Sequence, residues 1–271
     1  MARDFTRNLA NYMSLGVNAI SPLASGASKI TIAAFIRSVS YTAGGNDNRV
    51  VTVDLNNGAV GILLSISGAA GAEKVRCGGR SQTADGFLVR SGATTVSTSV
   101  WHHVGGVLDI SGDTIRCYLN GAQDASGANT FGAATYTPGT PTKADSIGAD
   151  IGAPPATSTQ FDGRIAELAL WSNDITTAGF AMLNQGYSPL FVLPSALICY
   201  WPIIGSLSPE IELRNGKIGT ITGSLPAAAH PRIFYPSPQL ITEAPTAPAV
   251  TPSSGRLRRR SEMAIFLNEA G

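Results

Sequence analysis

The sequence predicts an all-β protein organised as an antiparallel sandwich, on three observations. The first is Val100–Ala122, VWHHVGGVLDISGDTIRCYLNGA, which reads as two apolar runs joined by turn chemistry. Trp101, Val104, Val107 and Leu108 mark the first run, Ser111-Gly112-Asp113 the turn, and Ile115, Cys117 and Leu119 alternate along the second. Asn120-Gly121 then offers the positive-φ pair of a primed hairpin turn. A lone hairpin cannot bury itself, so this one belongs to a larger sheet. The second observation is Ile30–Ser38, where Ile30, Ile32, Ala34 and Ile36 share one face and Phe35 points the other way. Both faces are partly apolar, as suits a central sandwich strand. The third is composition: 30 glycines, 16 prolines and only 14% charged residues in 271 fit a turn-rich β chain. With 44% hydrophobic residues the core can be sizeable.

In chain order, residues 1–9 read as a polar N-terminal arm and Tyr12–Val17 as a first short strand. Gly44–Asn48 is loop chemistry. Arg49–Leu55 and Ala59–Ser67 form a hairpin across Asn56-Asn57-Gly58, and Lys74–Gly79 and Gly86–Val89 add two shorter strands. After the central hairpin, Gly121–Gln160 is dominated by Gly, Ala, Thr, Pro and Ser, with only Ser146–Ala149 strand-like. Gly163–Trp171 is a strand. Ser172-Asn173-Asp174 supplies capping oxygens for a short helix over Thr176–Asn184 that stops before Gly186. Leu197–Trp201 is a further strand. From residue 226 the character changes, and Pro231, Pro236, Pro238, Pro245, Pro248 and Pro252 favour extended or polyproline backbone.

A net charge of +1 argues against recognition of nucleic acid by the surface as a whole. Cys77, Cys117 and Cys199 are odd in number, widely spaced and without a metal-ligand spacing, so they read as buried free thiols. The N-terminus lacks the apolar run and cleavage site of a secretion signal. No stretch reaches the roughly 20 apolar residues of a membrane helix. Synthesis in a cytosol is the expectation.

Two ordered motifs carry a resemblance. Trp101, His103, Val104, Tyr118, Asn120 and Gly121 match a W-x-H-V…Y-x-N-G hairpin. Phe161-Asp162-Gly163-Arg164-Ile165-Ala166-Glu167 resembles an F-x-G-x-I-D-E run, with Ala166 in place of its Asp. Together they resemble laminin G-like domains of the concanavalin A-like jelly-roll group. The resemblance implies a sandwich over residues 10–225, between the arm at 1–9 and a Pro-rich extended arm at 226–271. Tyr200–Ser224 resembles the piece that leads into such domains but here follows the body, either as a rearranged edge of the same sandwich or as a repeat remnant.

The chemistry this chain can support is limited. Jelly-roll glycosidases that resemble this fold carry E-x-D-x-x-E on one strand, and that motif does not occur here. Asp162 and Glu167 are five apart, which puts them on opposite faces of an ideal strand. Glu167 therefore reads as a partner for backbone or Arg at the sheet edge. His102, His103 and His230 form no nucleophile pattern. No catalytic or metal residue is assigned and no cofactor is expected. Calcium is a minor candidate, through Asp47 with Asn46 and Asn48 or Asp145 with Asp150. Trp101, Trp171 and Trp201 read as core, while Tyr41 and Tyr136 lie in loops and are freer to stack on a sugar.

The tail is the remaining feature. Arg256, Arg258, Arg259 and Arg260 precede the apolar Ile265, Phe266 and Leu267, a pattern suited to docking on a partner. Four arginines without interleaved aromatics suit an acidic protein surface at least as well as nucleic acid. With no export signal and no catalytic set, the combination resembles virion proteins of tailed phages. The resulting expectation is a non-enzymatic decoration or cement protein, homo-oligomeric, whose arm lies on capsid subunits. The alternative is a lectin-like module that attaches to a surface glycan.

Overall fold

Two eight-stranded antiparallel sheets face one another across a single main core. The computed structural model describes residues 2–7, 11–41, 47–68, 71–150, 159–205 and 208–236. The elements are β1 (Ala2–Phe5), β2 (Tyr12–Val17), α1 (Ser21–Ala24), β3 (Lys29–Ser38), β4 (Asn48–Asn56), β5 (Ala59–Ser67), β6 (Lys74–Gly79) and β7 (Leu88–Thr95). The central hairpin is β8 (His102–Asp109) and β9 (Thr114–Leu119), followed by β10 (Ala122–Ala128), β11 (Ala144–Ile147) and β12 (Gly163–Trp171). Then come α2 (Thr176–Asn184), a 3-10 turn at Pro189–Phe191, β13 (Leu197–Trp201), β14 (Glu210–Ile211), β15 (Ile218–Thr222) and β16 (Ala227–Ala228).

One sheet runs β10-β9-β8-β3-β12-β1-β16, with β13 also on β12; the other runs β14-β15-β2-β11-β4-β5-β6-β7. The period-2 pattern sets which residues face inward. Ile30, Ile32, Ala34 and Ile36 of β3 enter the inter-sheet core with Val104 and Leu108 of β8. Ala33 and Val107, on the opposite face, pack under α2 with Tyr118, Trp171 and Phe180. The two Asn-Gly turns behave as their sequence demands: φ is 44° and 89° at Asn57-Gly58 and 50° and 82° at Asn120-Gly121. His103, the histidine of the W-x-H-V motif, is core. It packs 4.9 Å from the Phe35 ring, and burial pulls its pKa down to about 3, so it is neutral. The three cysteines are free and buried.

The structure moves several expected boundaries. Residues 2–5 are not a solvated arm: β1 pairs with β12 and β16. Its polar character is explained by a buried ion pair, Arg3 Nε to Glu210 Oε1 at 2.8 Å. A strand at 122–128 stands where the sequence suggested only loop, and the short run at 86–89 becomes the longer β7. Tyr200–Ser224 completes the same sandwich, β13 on β12 and β15 on β2. The pairing also continues past residue 225. β16 lies on β1, and Phe234 bridges to Tyr187 with backbone bonds to Gly186 and Ser188. No helix among the described residues is long and apolar enough to cross a membrane.

Candidate functional site

The outer face of β4, β5 and β6 builds an open cleft of about 270 Å³, lined by Asp47, Arg49, Gly58, Ala59, Val60, Arg76, Arg80 and Phe87. Register places these groups together. Arg49 pairs with Ser65 and Ser65 with Arg76, so both guanidiniums stand on one row across three strands. Arg76, Gly78 and Arg80 are two apart and share that face. The N–H of Arg80 donates to Gly61 O at 3.0 Å, which extends the ladder one residue beyond β6. Gly79 pairs with Leu88, so Phe87 falls opposite Arg80, and the Arg80 guanidinium sits 5.4 Å from the Phe87 ring centroid. A Cβ on Gly78, between the two arginines, would meet Leu88 O at 2.4 Å and the Phe87 Cζ at 3.1 Å, so only glycine lets β7 and the Phe87 ring close over that point.

The charges are held in place. Arg76 Nη1 donates to Asp47 Oδ1 at 2.7 Å, and Arg49 Nη1 to Asp150 Oδ1 at 2.8 Å. Arg80 donates through Nη1 to Val60 O at 2.6 Å and through Nε to Asp85 O at 3.0 Å. Asp85 is itself fixed. Its carboxylate accepts Ser81 N and Ser81 Oγ, and although burial opposes ionisation these bonds hold its pKa below the usual carboxylate value. Three guanidiniums therefore face two carboxylates. Chemically, the cleft offers fixed N–H forks for hydroxyl or carboxylate oxygens beside one apolar ring face.

The residues singled out in the sequence fare differently. Tyr136 is fully buried, with its Oη 3.0 Å from Ser21 Oγ, so it cannot be a surface platform. Tyr41 packs against the core edge, and burial raises its phenol to about 12. Trp171 and Trp201 are fully buried, and Trp101 is partly buried against Phe35 and Ala166. The calcium candidates are committed elsewhere: Asp47 to Arg76, Asp150 to Arg49, and the Asn48 amide to Ile66 O. Asp145 is buried and accepts the N–H groups of Ile20 and Asp54. Asn46 lies outside the described residues. Among the described residues no group of three or more metal-ligating side chains occurs.

Glu167 is not an edge partner for Arg or backbone. It sits at a bulge where β12 exchanges β1 for β13, with φ at +55°. Its Oε2 accepts Tyr200 Oη at 2.5 Å and its Oε1 accepts Tyr235 Oη at 2.7 Å. The expected docking residues Arg256, Arg258, Arg259, Arg260, Ile265, Phe266 and Leu267 lie outside the described residues, and the basis for capsid docking lies there with them. The cleft arginines were not anticipated. The available signal was the R-x-G-x-R alternation from Arg76 to Arg80, which sets two cations on one strand face.

A family model described as the concanavalin A-like lectin/glucanases superfamily matches residues 10–178, and the chain belongs to that family. Among solved structures it is similar to a "putative carbohydrate binding protein" from Bacteroides ovatus, at 20% identity and a TM-score of 0.61. That match covers 85% of this chain and 60% of the other, so this chain spans under two thirds of the length of that relative. It is also similar to a heptameric SAP-like pentraxin from Limulus polyphemus, at 13% identity and a TM-score of 0.51, over 68% of this chain and 81% of that one. These likenesses show the fold. No curated protein sequence matches the chain.

Proposed function

We propose that the chain is a non-catalytic saccharide-binding module whose ligand lies in the cleft over β4, β5 and β6. The observation that carries this reading is the placement of Arg76 and Arg80 in one cleft, with the Phe87 ring beside them. A sugar needs this combination. Its hydroxyls take directed N–H donors while its C–H face rests on an aromatic ring. The donors are pre-positioned by Asp47 and by backbone carbonyls, so binding orders few side chains. The lectin side of the family and the likeness to a carbohydrate binding protein support the reading. Asp47, the one carboxylate among the described lining residues, is paired with Arg76, which favours binding over glycosidic hydrolysis.

The test is a glycan array probed with the full chain and with Phe87→Ala. Binding to a defined set of saccharides that weakens about tenfold or more in the variant, at unchanged thermal midpoint, is the expected result. Absence of any saccharide binding by the full chain, or binding untouched by Phe87→Ala, overturns it.

A further inference from the structure

The other sheet carries a second charged site, beyond the patch that α2 covers. Arg37 of β3 and Arg164 of β12 are direct cross-strand neighbours. Side chains so placed have Cβ atoms about 5 Å apart, and like charges in that position repel. Arg164 is offset on one side by Asp4, its partner on β1, through Nε to Oδ2 at 3.3 Å. Arg37 has no carboxylate within ion-pair distance among the described residues. Its Nε donates to Ser99 O at 2.8 Å. Among the described residues the terminal amino groups of both guanidiniums make no hydrogen bond, so four NH2 groups, one end-on fork on each arginine, remain uncommitted.

These donors line a pocket of about 150 Å³ closed by Ser38, Val39 and Ser99. Ser99 takes a φ of +65°, a conformation uncommon for a residue with a Cβ. Its N–H donates to Ser38 O at 2.7 Å while its carbonyl holds Arg37, so the turn fixes the guanidinium against its like-charged neighbour. An arrangement that costs repulsion without an anion gains from one. A planar carboxylate or a sulfate placed between the two cations cancels the repulsion and meets the guanidinium forks. The pocket has room for a few water-sized groups, which suits one such anionic group and little more.

We propose that the Arg37–Arg164 pocket is a second ligand site, independent of the cleft, that takes one carboxylate or sulfate group. The experiment measures the thermal midpoint of the full chain against sodium sulfate and sodium glucuronate, with sodium chloride at matched ionic strength as baseline. A saturable rise above the chloride baseline is expected for the native chain. Arg37→Gln shifts the half-saturating concentration about tenfold or more, whereas Arg37→Lys, which keeps the charge but not the fork, shifts it less. Arg80→Gln, in the other cleft, leaves the rise in place. Glucuronate saturating below sulfate identifies an acidic sugar as the ligand, and the reverse order identifies a free oxyanion; both outcomes support the site. No saturable rise over chloride, or a rise that Arg37→Gln retains, overturns it.

Discussion

His230 of the terminal segment stands 3.2 Å through Nε2 from Glu167 Oε1 on β12. The same nitrogen is 3.3 Å from Pro202 O, and Nδ1 is 2.7 Å from Pro231 O. Both ring nitrogens thus face acceptors, and only the imidazolium donates on both sides. Burial opposes the charge, but the bonds to Glu167 and the carbonyls outweigh it, and the pKa rises above the usual 6.5. Around the same carboxylate, Tyr200 and Tyr235 are held protonated by burial and by Glu167 itself. Together these groups pin the segment ending at Tyr235 onto β12.

The pH dependence follows from that geometry. A histidine whose folded pKa lies above its unfolded one contributes stability that is complete below about 6.5 and is lost as pH rises through the folded value. The thermal midpoint should therefore fall as pH is raised above about 6.5, and His230→Gln should remove the part of that fall that lies above about pH 7. Asp145 titrates in a different window. Burial raises its pKa from 3.8 to about 7, so its contribution is present below about 4 and is lost between there and 7. Thermal melts from acid to mildly alkaline pH separate the two, because the His230 variant keeps the lower-pH slope. A wild-type midpoint that stays flat above about pH 7, beyond the Asp145 window, or a slope there that His230→Gln retains, contradicts the imidazolium assignment.

Local chemistry made much of the sandwich legible. The hairpin from Trp101 to Leu119 and the strand ending at Trp171 declare themselves through alternation and turn residues, all within a few positions of each other. β1 did not, because its second residue is Arg3, which is buried against Glu210 more than 200 positions away. No local pattern distinguishes that arginine from a solvated one. The cleft was hidden for a similar reason. Arg49 joins Arg76 only through the register of β4 on β5 and of β5 on β6. Glu167 was visible as a residue of its motif, but its partners Tyr200, His230 and Tyr235 come from segments that read as edge and tail.

Tyr136 shows the cost of reading a loop by composition. It lies in Gly-, Thr- and Pro-rich sequence, yet Tyr136 N donates to Ala27 O and Gly26 N to Tyr136 O, both at 2.8 Å. These bonds draw the ring into the core, where its Oη occupies the space a Cβ at Gly61 would need. Tyr136→Phe loses the contact with Ser21 and should cost about 1 kcal/mol. Tyr136→Ala should cost about 3–5 kcal/mol, as expected for emptying a buried aromatic site. Denaturant melts measure both. Saccharide affinity should be unchanged in Tyr136→Phe, and a loss of binding in that variant would return the residue to the ligand site.

Gly105 and Gly106 explain why the central hairpin tolerates no side chain at its middle. A Cβ on Gly106 would lie 2.1 Å from Cys77 Sγ and 2.6 Å from Cys77 Cβ, on the opposing sheet. A Cβ on Gly105, on the other face, would meet Phe180 Cε1 at 2.5 Å and the backbone oxygen of Ile32 at 2.6 Å. β8 is therefore clamped between the second sheet and α2, and either alanine overpacks it by about 1–3 kcal/mol or more. The two differ in what can yield. Cys77→Ala removes the sulfur that Gly106→Ala strikes, so the double variant should recover part of the loss in a mutant cycle. Gly105→Ala strikes a main-chain carbonyl of the neighbouring strand, which no side-chain substitution removes. Shortening Phe180 to leucine should therefore leave most of its cost. Equal rescue of both glycine variants by their neighbours would mean that the sheet shifts to absorb the methyl group and that β8 is less tightly held than these distances require.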